Sequence, residues 1–315
     1  MFPTVSIIIP VKSNNRNLEE SITHCLKLDY PFFEIIVLPD EMMGAYTDRA
    51  VKVIPTGACL PAAKRDIGSN NASGEILAFL DDDTYPVVDW LKQGVLHFQN
   101  KEISCVCGPA VTPENEPLRR KASGKILESI VMSGPARFRY VALKSRYTND
   151  FPSCNFLIRK SDFVKIGGFQ TKFWPGEDTI LCDDVINTLK KKIFYDPLVK
   201  VFHHRRSVYG PHLKQIKSYA LHRGYFAKCF KKSSLRIGYF LPSLLIFVLF
   251  TSFVGAFVNT KSLTIPVSYL LLVALFSLSS NIRLFWYVFS GIVASHLIYG
   301  VFFINGLFSK KLKEE

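Results

Sequence analysis

Short apolar runs alternate with segments of helical periodicity over the first hundred residues of the chain. Four runs are too short for helices and predict buried strands: 5–10, 34–38, 51–54 and 76–80. Apolar residues recur at helical spacing in 17–28, Pro61 can open a helix that ends near Asn71, and 87–98 predicts a further helix. This alternation predicts an α/β fold whose mostly parallel, Rossmann-like sheet is flanked by helices.

The pattern from residue 117 to residue 204 is less regular. Residues 117–147 are basic and interrupted by glycine and proline, which predicts one or two helices with loops, lying against a membrane or over a ligand site. The remaining predicted elements are a strand at 155–159, a helix at 161–166 capped by Ser161, a helix at 177–192, and strands at 194–195 and 199–202 that close the same sheet.

A nearly unbroken apolar stretch runs from Tyr239 to Phe308. Since a membrane-spanning helix needs about 20 predominantly apolar residues, three candidate spans follow: 239–258, 263–279 and 284–308. The second candidate is short and contains Pro266, so it is either a span or a re-entrant segment. The chain would accordingly cross the membrane three times or twice. The predicted organisation is a soluble domain at 1–236, a membrane domain at 237–309 and a basic tail at 310–315.

The net charge of +13 bears on which partners the protein binds. Basic residues concentrate at 119–146 and 190–236, close to the apolar stretch, and no recognisable nucleic-acid module accompanies them. The pattern therefore favours anionic membrane lipids as partners over nucleic acid. Four basic residues precede the first span: Lys228, Lys231, Lys232 and Arg236. They predict a protein of the cytoplasmic membrane whose soluble domain faces the cytoplasm.

The two ends of the chain and its cysteines bear on the compartment. Lys310, Lys311 and Lys313 also prefer the cytoplasmic side, which three crossings would not allow. The N-terminal residues have no charged segment followed by an apolar one, so we expect no cleaved signal. The seven cysteines are odd in number and scattered, as is typical of a reducing compartment, and Cys105 and Cys107 fit core thiols better than a metal site.

Three consecutive aspartates, Asp81, Asp82 and Asp83, follow the predicted strand 76–80. Carboxylates this close repel one another, so they fit either a solvated acidic turn or a bound cation. Asp40 follows the strand 34–38 in the same way. Because ligands of open α/β sheets bind outside the carboxyl ends of the strands, these side chains are expected to converge on a ligand site.

Seven short motifs follow one another along the chain: VSIIIPV at 5–11, EIIVLPD at 34–40, PAAKRDIG at 61–68, GEILAFLDDD at 74–83, IGGF at 166–169, GED at 176–178 and VFHH at 201–204. Taken in order, these motifs resemble the family 2 glycosyltransferases with the GT-A fold, which bind nucleotide-diphospho-sugars. The resemblance covers residues 4–223.

By this resemblance, the loop at Pro10 and Val11 cradles the nucleotide base, and Asp40 accepts a hydrogen bond from it. The base is typically uracil, which favours a UDP-sugar, although Pro39 replaces the first of the family's two acids. The alternative for Asp40 is an Asp that caps a turn. Lys64 and Arg65 would reach the diphosphate, and the alternative is a solvated helix face.

The resemblance assigns the aspartate triplet to the family's DxD element. Asp83 and Asp81 would then coordinate Mg²⁺ or Mn²⁺, while Asp82 contacts the ribose or a metal-bound water. His203, with His204 as the alternate, would complete the metal site, and an imidazole ligand leans towards Mn²⁺. The alternative is a pair of surface histidines.

Asp178 matches the family's general base, and Glu177 would orient the acceptor. Taking the proton from an acceptor hydroxyl during a single displacement inverts the anomeric configuration. The alternative is that both acids favour a helix N-terminus. Asp183 and Asp184 are expected to be solvated. The turn at 167–169 would place Phe169 as an aromatic platform near the acceptor, and Trp174 would stack on a sugar or pack.

The sequence thus predicts a membrane-anchored, metal-dependent, inverting hexosyltransferase-type enzyme that glycosylates a hydroxyl on a lipid-linked or membrane-proximal glycan. A polyprenyl-phosphate sugar synthase is an alternative, but an ionised phosphate acceptor needs no general base. A catalytically inert nucleotide-binding membrane scaffold is the alternative from another class. A processive polymerase is disfavoured because the Gln-x-x-Arg-Trp signature is absent.

Overall fold

The computed structural model describes residues 2–44, 46–169, 171, 173–230, 234–278 and 281–312. The chain folds into two compact units: residues 1–111 and 138–204 form the first, and residues 112–137 and 205–315 form the second. This division differs from the boundary expected at residue 236. Four predicted flanking or terminal positions lie outside the described residues: Lys231, Lys232, Ser279 and Lys313.

The first unit is built on two sheets. Strands of the larger sheet are β1 (Val5–Pro10), β2 (Phe33–Leu38), β3 (Val51–Val53), β4 (Ile76–Leu80), β6 (Ile103–Cys107), β8 (Arg146–Thr148), β9 (Asn155–Arg159) and β10 (Lys192–Tyr195). Their order is β3-β2-β1-β4-β9-β6-β10-β8. A small sheet has the order β5-β11-β7 and comprises β5 (Thr84–Pro86), β7 (Ala110–Val111) and β11 (Val201–His203).

The larger sheet confirms the α/β fold class and is mixed in direction. The pairs β1–β2, β1–β4, β2–β3 and β6–β10 are parallel, whereas β9 runs antiparallel between β4 and β6, and β8 is antiparallel at one edge. Both faces of the central strands are covered. Ile7 and Ile9 belong to one apolar core and Ile8 to the other, which explains the continuous apolar run of β1.

Helices of the first unit follow the predicted order with shifted ends. They are α1 (Arg16–Cys25), α2 (Pro61–Asn71), α3 (Trp90–Leu96), α6 (Lys160–Lys165) and α7 (Glu177–Asp183). The α2 bounds match the prediction, with Pro61 in the first turn. The Asn15 side chain caps α1 by accepting hydrogen bonds from the backbone N–H groups of Asn17 and Leu18.

Three predictions about the later part of this unit were wrong. Ser161 does not cap α6, whose N-cap position is Arg159. The helix expected at 177–192 ends after a π-helical turn at Asp184–Thr188, because Ile193 and its neighbours pair with β6 instead. The last strand, Val201–His203, joins the small sheet and does not close the larger one.

Within the second unit, basic and apolar helices pack together. Its helices are α4 (Leu118–Glu128), α5 (Ile130–Ser133), α8 (Gly210–Cys229), α9 (Leu241–Gly255), α10 (Thr264–Leu278) and α11 (Phe285–Phe308). Glycines bring α8 and α11 into backbone contact, since a Cβ on Gly224 would lie 2.0 Å from the Phe303 carbonyl oxygen. This contact is one reason why α8 belongs to the same unit as the apolar helices.

Two helical stretches are long and apolar enough to cross a membrane, judged by length and composition: Thr260–Leu278 and Ile282–Phe308. The apolar helix α9 has 15 residues, fewer than the roughly 20 that a span needs. The sequence had instead marked the second stretch as the short one. Pro266 lies in the first turn of α10, where a proline interrupts no hydrogen bond of the helix.

Candidate active site

Lys64 joins the carboxyl ends of β1 and β2. Its Nζ donates hydrogen bonds to the carbonyl oxygens of Val11 (2.8 Å) and Leu38 (3.1 Å) and to Asp40 Oδ1 (2.5 Å). Only 3% of the residue is exposed, so the alternative of a solvated helix face was wrong. The amine is hydrogen-bonded to the loops at Val11 and Asp40, and its contact with a diphosphate stays a prediction.

Arg65 links the aspartate triplet to the start of α7. Its Nη2 lies 2.6 Å from Asp81 Oδ1 and its Nη1 lies 3.2 Å from Glu177 Oε1. Arg65 is 3% exposed, and its Cζ lies over the Phe169 ring, 5.5 Å from the ring centroid. Burial opposes the charge, but the two carboxylates outweigh it and raise the pKa of Arg65. For Arg65 too, the alternative of a position on a solvated helix face was wrong.

The three aspartates point to three different partners. Asp81 is paired with Arg65, and Asp82 Oδ2 accepts a hydrogen bond from Asn15 Nδ2 at 2.8 Å. Burial, followed by repulsion from Asp83 and Asp81, raises the pKa of Asp82 to about 6. Asp83 Oδ1 lies 3.2 Å from His203 Nε2. The triplet is therefore a partly buried cluster and not a solvated turn.

His203 is the histidine beside the triplet, while His204 points elsewhere. Strand β11 pairs antiparallel with β5, and this register sets His203 opposite Thr84, next to Asp83. His204 Nε2 instead lies 2.9 Å from Glu20 Oε2. Both imidazoles are partly buried and paired, unlike ordinary surface histidines.

These donors fit a cation that is bound together with its substrate. In the described part of the chain, no group of three or more His, Cys, Asp or Glu side chains could by itself hold a metal ion. The Asp83 and His203 side chains supply one hard oxygen and one imidazole nitrogen. Mg²⁺ is commonly held by only one or two protein carboxylates, and substrate phosphates complete its coordination, so two donors suffice.

Asp178 and Glu177 occupy the first turn of α7 in different environments. Glu177 is 5% exposed, and its carboxylate accepts hydrogen bonds from Arg65 and from the Gly176 backbone N–H. Burial, Glu177 and Asp150 raise the pKa of Asp178 to about 7, against the opposing charges of Arg139 and Arg65. A carboxyl that titrates near neutrality suits proton transfer better than a purely helix-capping role does.

The glycine turn after α6 anchors α2 beneath this site. Gly168 has φ +82°, and the backbone N–H of Phe169 donates a 2.9 Å hydrogen bond to Asp66 Oδ1. Phe169 is 1% exposed and packs edge-on against Phe79, so it is a core residue and the expected acceptor platform was wrong. Trp174, in contrast, is 39% exposed.

Gly168→Ala is expected to destabilise the protein by about 1–3 kcal/mol, the usual cost of forcing a side chain into a left-handed conformation. The new Cβ would also lie 2.5 Å from Asp66 Oδ1. Urea denaturation checks this. Gly57→Ala is the matched control, since Gly57 has φ +72° but nothing within 4 Å of the added Cβ. Equal losses in the two variants would contradict a role for the Asp66 contact.

Sequence reasoning missed the residues that surround α7. Asp150 and Arg139 form a buried ion pair, and Thr179 Oγ1 donates a hydrogen bond to Asp150. Asp66 and Asn15 were missed as well. Asp150 and Arg139 lie in irregular segments with no periodicity, so their charges gave no signal of burial. Asn15 was recognisable only as a cap just before α1.

Comparisons with known proteins agree with this geometry. A family model described as "Glycosyl transferase family 2" matches residues 6–167. A pre-mycofactocin glycosyltransferase of Mycobacterium tuberculosis is 27% identical over 215 residues, which cover 64% of this chain and 43% of that protein. A Campylobacter jejuni protein, GalNAc(5)-diNAcBac-PP-undecaprenol beta-1,3-glucosyltransferase, is 25% identical over 61% of this chain and 62% of its own length. The chain thus spans less than two thirds of either relative.

Two solved structures are similar in fold. The mannosyltransferase PcManGT from Pyrobaculum calidifontis, in complex with GDP-Man and Mn²⁺, aligns with a TM-score of 0.64 and 16% identity over 99% of this chain and 89% of that chain. GalNAc-T7 with UDP, GalNAc and Mn²⁺ aligns with a TM-score of 0.51 and 16% identity over 75% and 52%. The architecture of the chain is therefore of the GT-A type.

Proposed function

Because the chain belongs to glycosyl transferase family 2, we propose that it is a metal-dependent, inverting glycosyltransferase with a nucleotide-diphospho-sugar donor. Its acceptor is a hydroxyl on a lipid-linked or membrane-proximal glycan. The observation that carries this proposal is the double ion pair of Arg65, which holds Asp81 and Glu177 on one guanidinium. The proposed donor-side and acceptor-side acids thereby belong to a single network around the buried Arg65 guanidinium.

In this proposal, Pro10, Val11 and Asp40 bind the nucleotide base. Lys64 positions them from beneath, because its amine contacts the Val11 carbonyl and the Asp40 carboxylate. Asp82, held by Asn15, contacts the ribose. The proposed donor is of the UDP type. The two similar structures were solved with GDP-Man and with UDP, so the nucleotide is to be tested experimentally.

Asp83 and His203 would hold Mg²⁺ or Mn²⁺, with Asp81 as a further ligand beside Arg65. When bound, the cation neutralises charge that develops on the diphosphate leaving group. The imidazole of His203 favours Mn²⁺. Arg65 contributes a fixed positive charge at the same end of the site, which stabilises the carboxylates when no donor is bound.

Asp178 is the proposed general base. As the acceptor oxygen forms its bond to the anomeric carbon, the bond from that carbon to the diphosphate oxygen breaks, and the acceptor proton passes to Asp178. The nucleoside diphosphate leaves, and the anomeric configuration inverts. Glu177 orients the acceptor, since its carboxylate is fixed by Arg65 and by the Gly176 N–H.

The second unit is proposed to attach the enzyme to the cytoplasmic membrane, with the first unit in the cytoplasm. Two apolar stretches of sufficient length support this, together with the basic residues of α4 and α8, which would contact anionic lipids. A membrane location also fits a lipid-linked acceptor. An undecaprenol-linked substrate is part of the name of the Campylobacter relative.

The proposed activity is tested with the purified full-length chain, by nucleoside diphosphate release from UDP-, GDP- and dTDP-sugars. We expect Mn²⁺-dependent release that EDTA abolishes. Asp83→Ala should lower it about 100-fold or more, because losing a residue that only supports a metal ligand typically costs 10–100-fold and this variant loses a proposed direct ligand. Asp29→Ala is the control, since Asp29 is exposed and pairs only with Lys92 in the described contacts.

Three outcomes would contradict the proposal. Release at the untreated wild-type rate, both in the Asp83→Ala variant and in the wild type with EDTA, would exclude the metal site. Metal-dependent nucleotide binding by calorimetry without any turnover would indicate the inert scaffold. Transfer to a polyprenyl phosphate that survives Asp178→Asn would indicate a lipid-phosphate acceptor, which needs no base.

A further inference from the structure

A buried ion pair lies against the helix that carries the proposed base. Arg139 Nη2 donates hydrogen bonds to Asp150 Oδ2 at 2.7 Å and to the Asp150 carbonyl oxygen at 2.9 Å. The two side chains are only 9% and 8% exposed. None of the roles proposed above uses either residue, so this pair calls for an explanation.

The other oxygen of Asp150 faces α7. Thr179 Oγ1 donates a 3.0 Å hydrogen bond to Asp150 Oδ1, and the Thr179 backbone N–H donates a 2.9 Å hydrogen bond to Asp178 Oδ1. Thr179 therefore contacts the Asp150 carboxylate with its side chain and the Asp178 carboxylate with its backbone. This relay fixes the first turn of α7 relative to Asp150.

The charges around Asp178 do not balance. Three carboxylates, Glu177, Asp178 and Asp150, lie near two guanidiniums, Arg65 and Arg139. Arg65 pairs with Glu177 and Arg139 pairs with Asp150. Because Arg65 also pairs with Asp81, the carboxylates outnumber the guanidiniums, and the charge of an ionised Asp178 adds to this excess of negative charge. The buried Cys182 thiol on the same helix also interacts with Asp178, and burial raises the pKa of this thiol.

We propose that Asp150, clamped by Arg139, is a positioning residue that aims the Asp178 carboxylate through Thr179 and strengthens it as a base by its own negative charge. This inference rests on the proposed function, since it assumes that Asp178 accepts the proton of the acceptor. Asp150 does not itself touch a substrate in this scheme. It acts on orientation through Thr179 and on proton affinity through charge.

Asp150→Asn removes the negative charge of residue 150 but keeps the size of the side chain, and the amide oxygen can still accept a hydrogen bond from Thr179. Without the negative charge, the ionised Asp178 is less disfavoured, and the uncompensated Arg139 acts in the same direction. The acid limb of the kcat/KM profile is therefore expected to move to lower pH by about one unit, the lower end of the range for a nearby charge. The plateau rate is expected to fall, because the base is weaker.

Thr179→Val separates orientation from charge. The variant loses the hydroxyl that binds Asp150 but keeps every charge, so we expect a lower kcat with an unchanged pH midpoint and an unchanged donor KM. Thr179→Ser restores the hydroxyl and is expected to recover most of the rate. Because Val is nearly isosteric with Thr, this pair still decides the matter if Asp150→Asn does not fold.

The outcomes separate this proposal from the proposed function. The role of Asp150 alone would be overturned if the wild type is active and the Asp178→Asn variant is inactive, but the pH midpoint is unmoved in Asp150→Asn and kcat is unchanged in Thr179→Val. A wild type without sugar transfer, or an Asp178→Asn variant with full activity, would overturn the proposed function. The shifted midpoint with serine rescue would support the proposal.

Discussion

Asp178→Asn is expected to lower sugar transfer by about 10²–10⁴-fold, the usual contribution of a positioned general base. The amide keeps the size of the carboxylate and can accept the hydrogen bond from the Thr179 backbone N–H, so the fold and the donor site should persist. The loss is expected in kcat, with little change in the donor KM. Initial rates of nucleoside diphosphate release, measured with saturating acceptor, check this.

The dependence of the wild-type kcat/KM on pH is expected to reflect the titration of Asp178. Because the pKa of Asp178 is raised to about 7, the base is protonated below neutrality and free above it. kcat/KM is therefore expected to fall about tenfold per pH unit below pH 7 and to level off above it. A profile that is flat between pH 5 and 8 would contradict the assignment of the base.

The control for Asp178→Asn is Asp183→Asn, which removes an acid from the same helix. Asp183 accepts a hydrogen bond from Asn187 and takes no part in the proposed chemistry. Stability gives an independent readout. Since the folded-state pKa of Asp178 lies above its unfolded value of 3.8, its ionisation opposes folding increasingly as the pH rises from about 4 to 7. The Asn variant is thus expected to be more stable than wild type at pH 8, but not at pH 3.

Arg65→Met is expected to remove both stability and activity. The substitution leaves Asp81 and Glu177 without their shared guanidinium, and breaking a buried ion pair by removing one partner costs about 3–5 kcal/mol. Urea denaturation and the rate of nucleoside diphosphate release check both effects. We expect a large drop in the urea midpoint and no detectable transfer.

Two further variants accompany Arg65→Met: Arg65→Lys tests a partial replacement, and Arg49→Met is the control. A lysine keeps the charge but cannot bridge two carboxylates with a rigid fork, so it should recover part of the stability and little of the activity. Arg49 is exposed, and Arg49→Met should be close to wild type. A stable, active Arg65→Met variant would show that the double ion pair is not needed.

The central strands and their carboxyl edge were predictable from sequence because local patterns determine them. Continuous apolar runs identified β1, β2 and β4, and the polar residues after each run marked the edge where Asp40 and Asp81 lie. The bounds of α2 followed from Pro61 at its start and Gly74 beyond its end. In these segments local pattern and tertiary packing agree.

The missed features depend on contacts between distant residues. The run of β9 shows that it is buried, but not that it lies antiparallel between β4 and β6. Lys64 and Arg65 resemble a solvated helix face, yet carbonyl oxygens and carboxylates from other elements compensate their burial. The pair of Arg139 and Asp150 lies in segments without periodicity, where sequence carries no information on burial.

The adjacency of Lys64 and Arg65 on α2 limits how the enzyme can be re-engineered. One side chain reaches the loops that are proposed to bind the base, and the next reaches the proposed acids of the reaction centre, so a single helix carries both. A change at Asp40 meant to alter nucleotide preference disturbs Lys64 and, through the shared backbone, Arg65. Under the proposed roles, we therefore expect donor selectivity and turnover to change together, and substitutions at Asp40 and at the acids beside Arg65 not to combine additively.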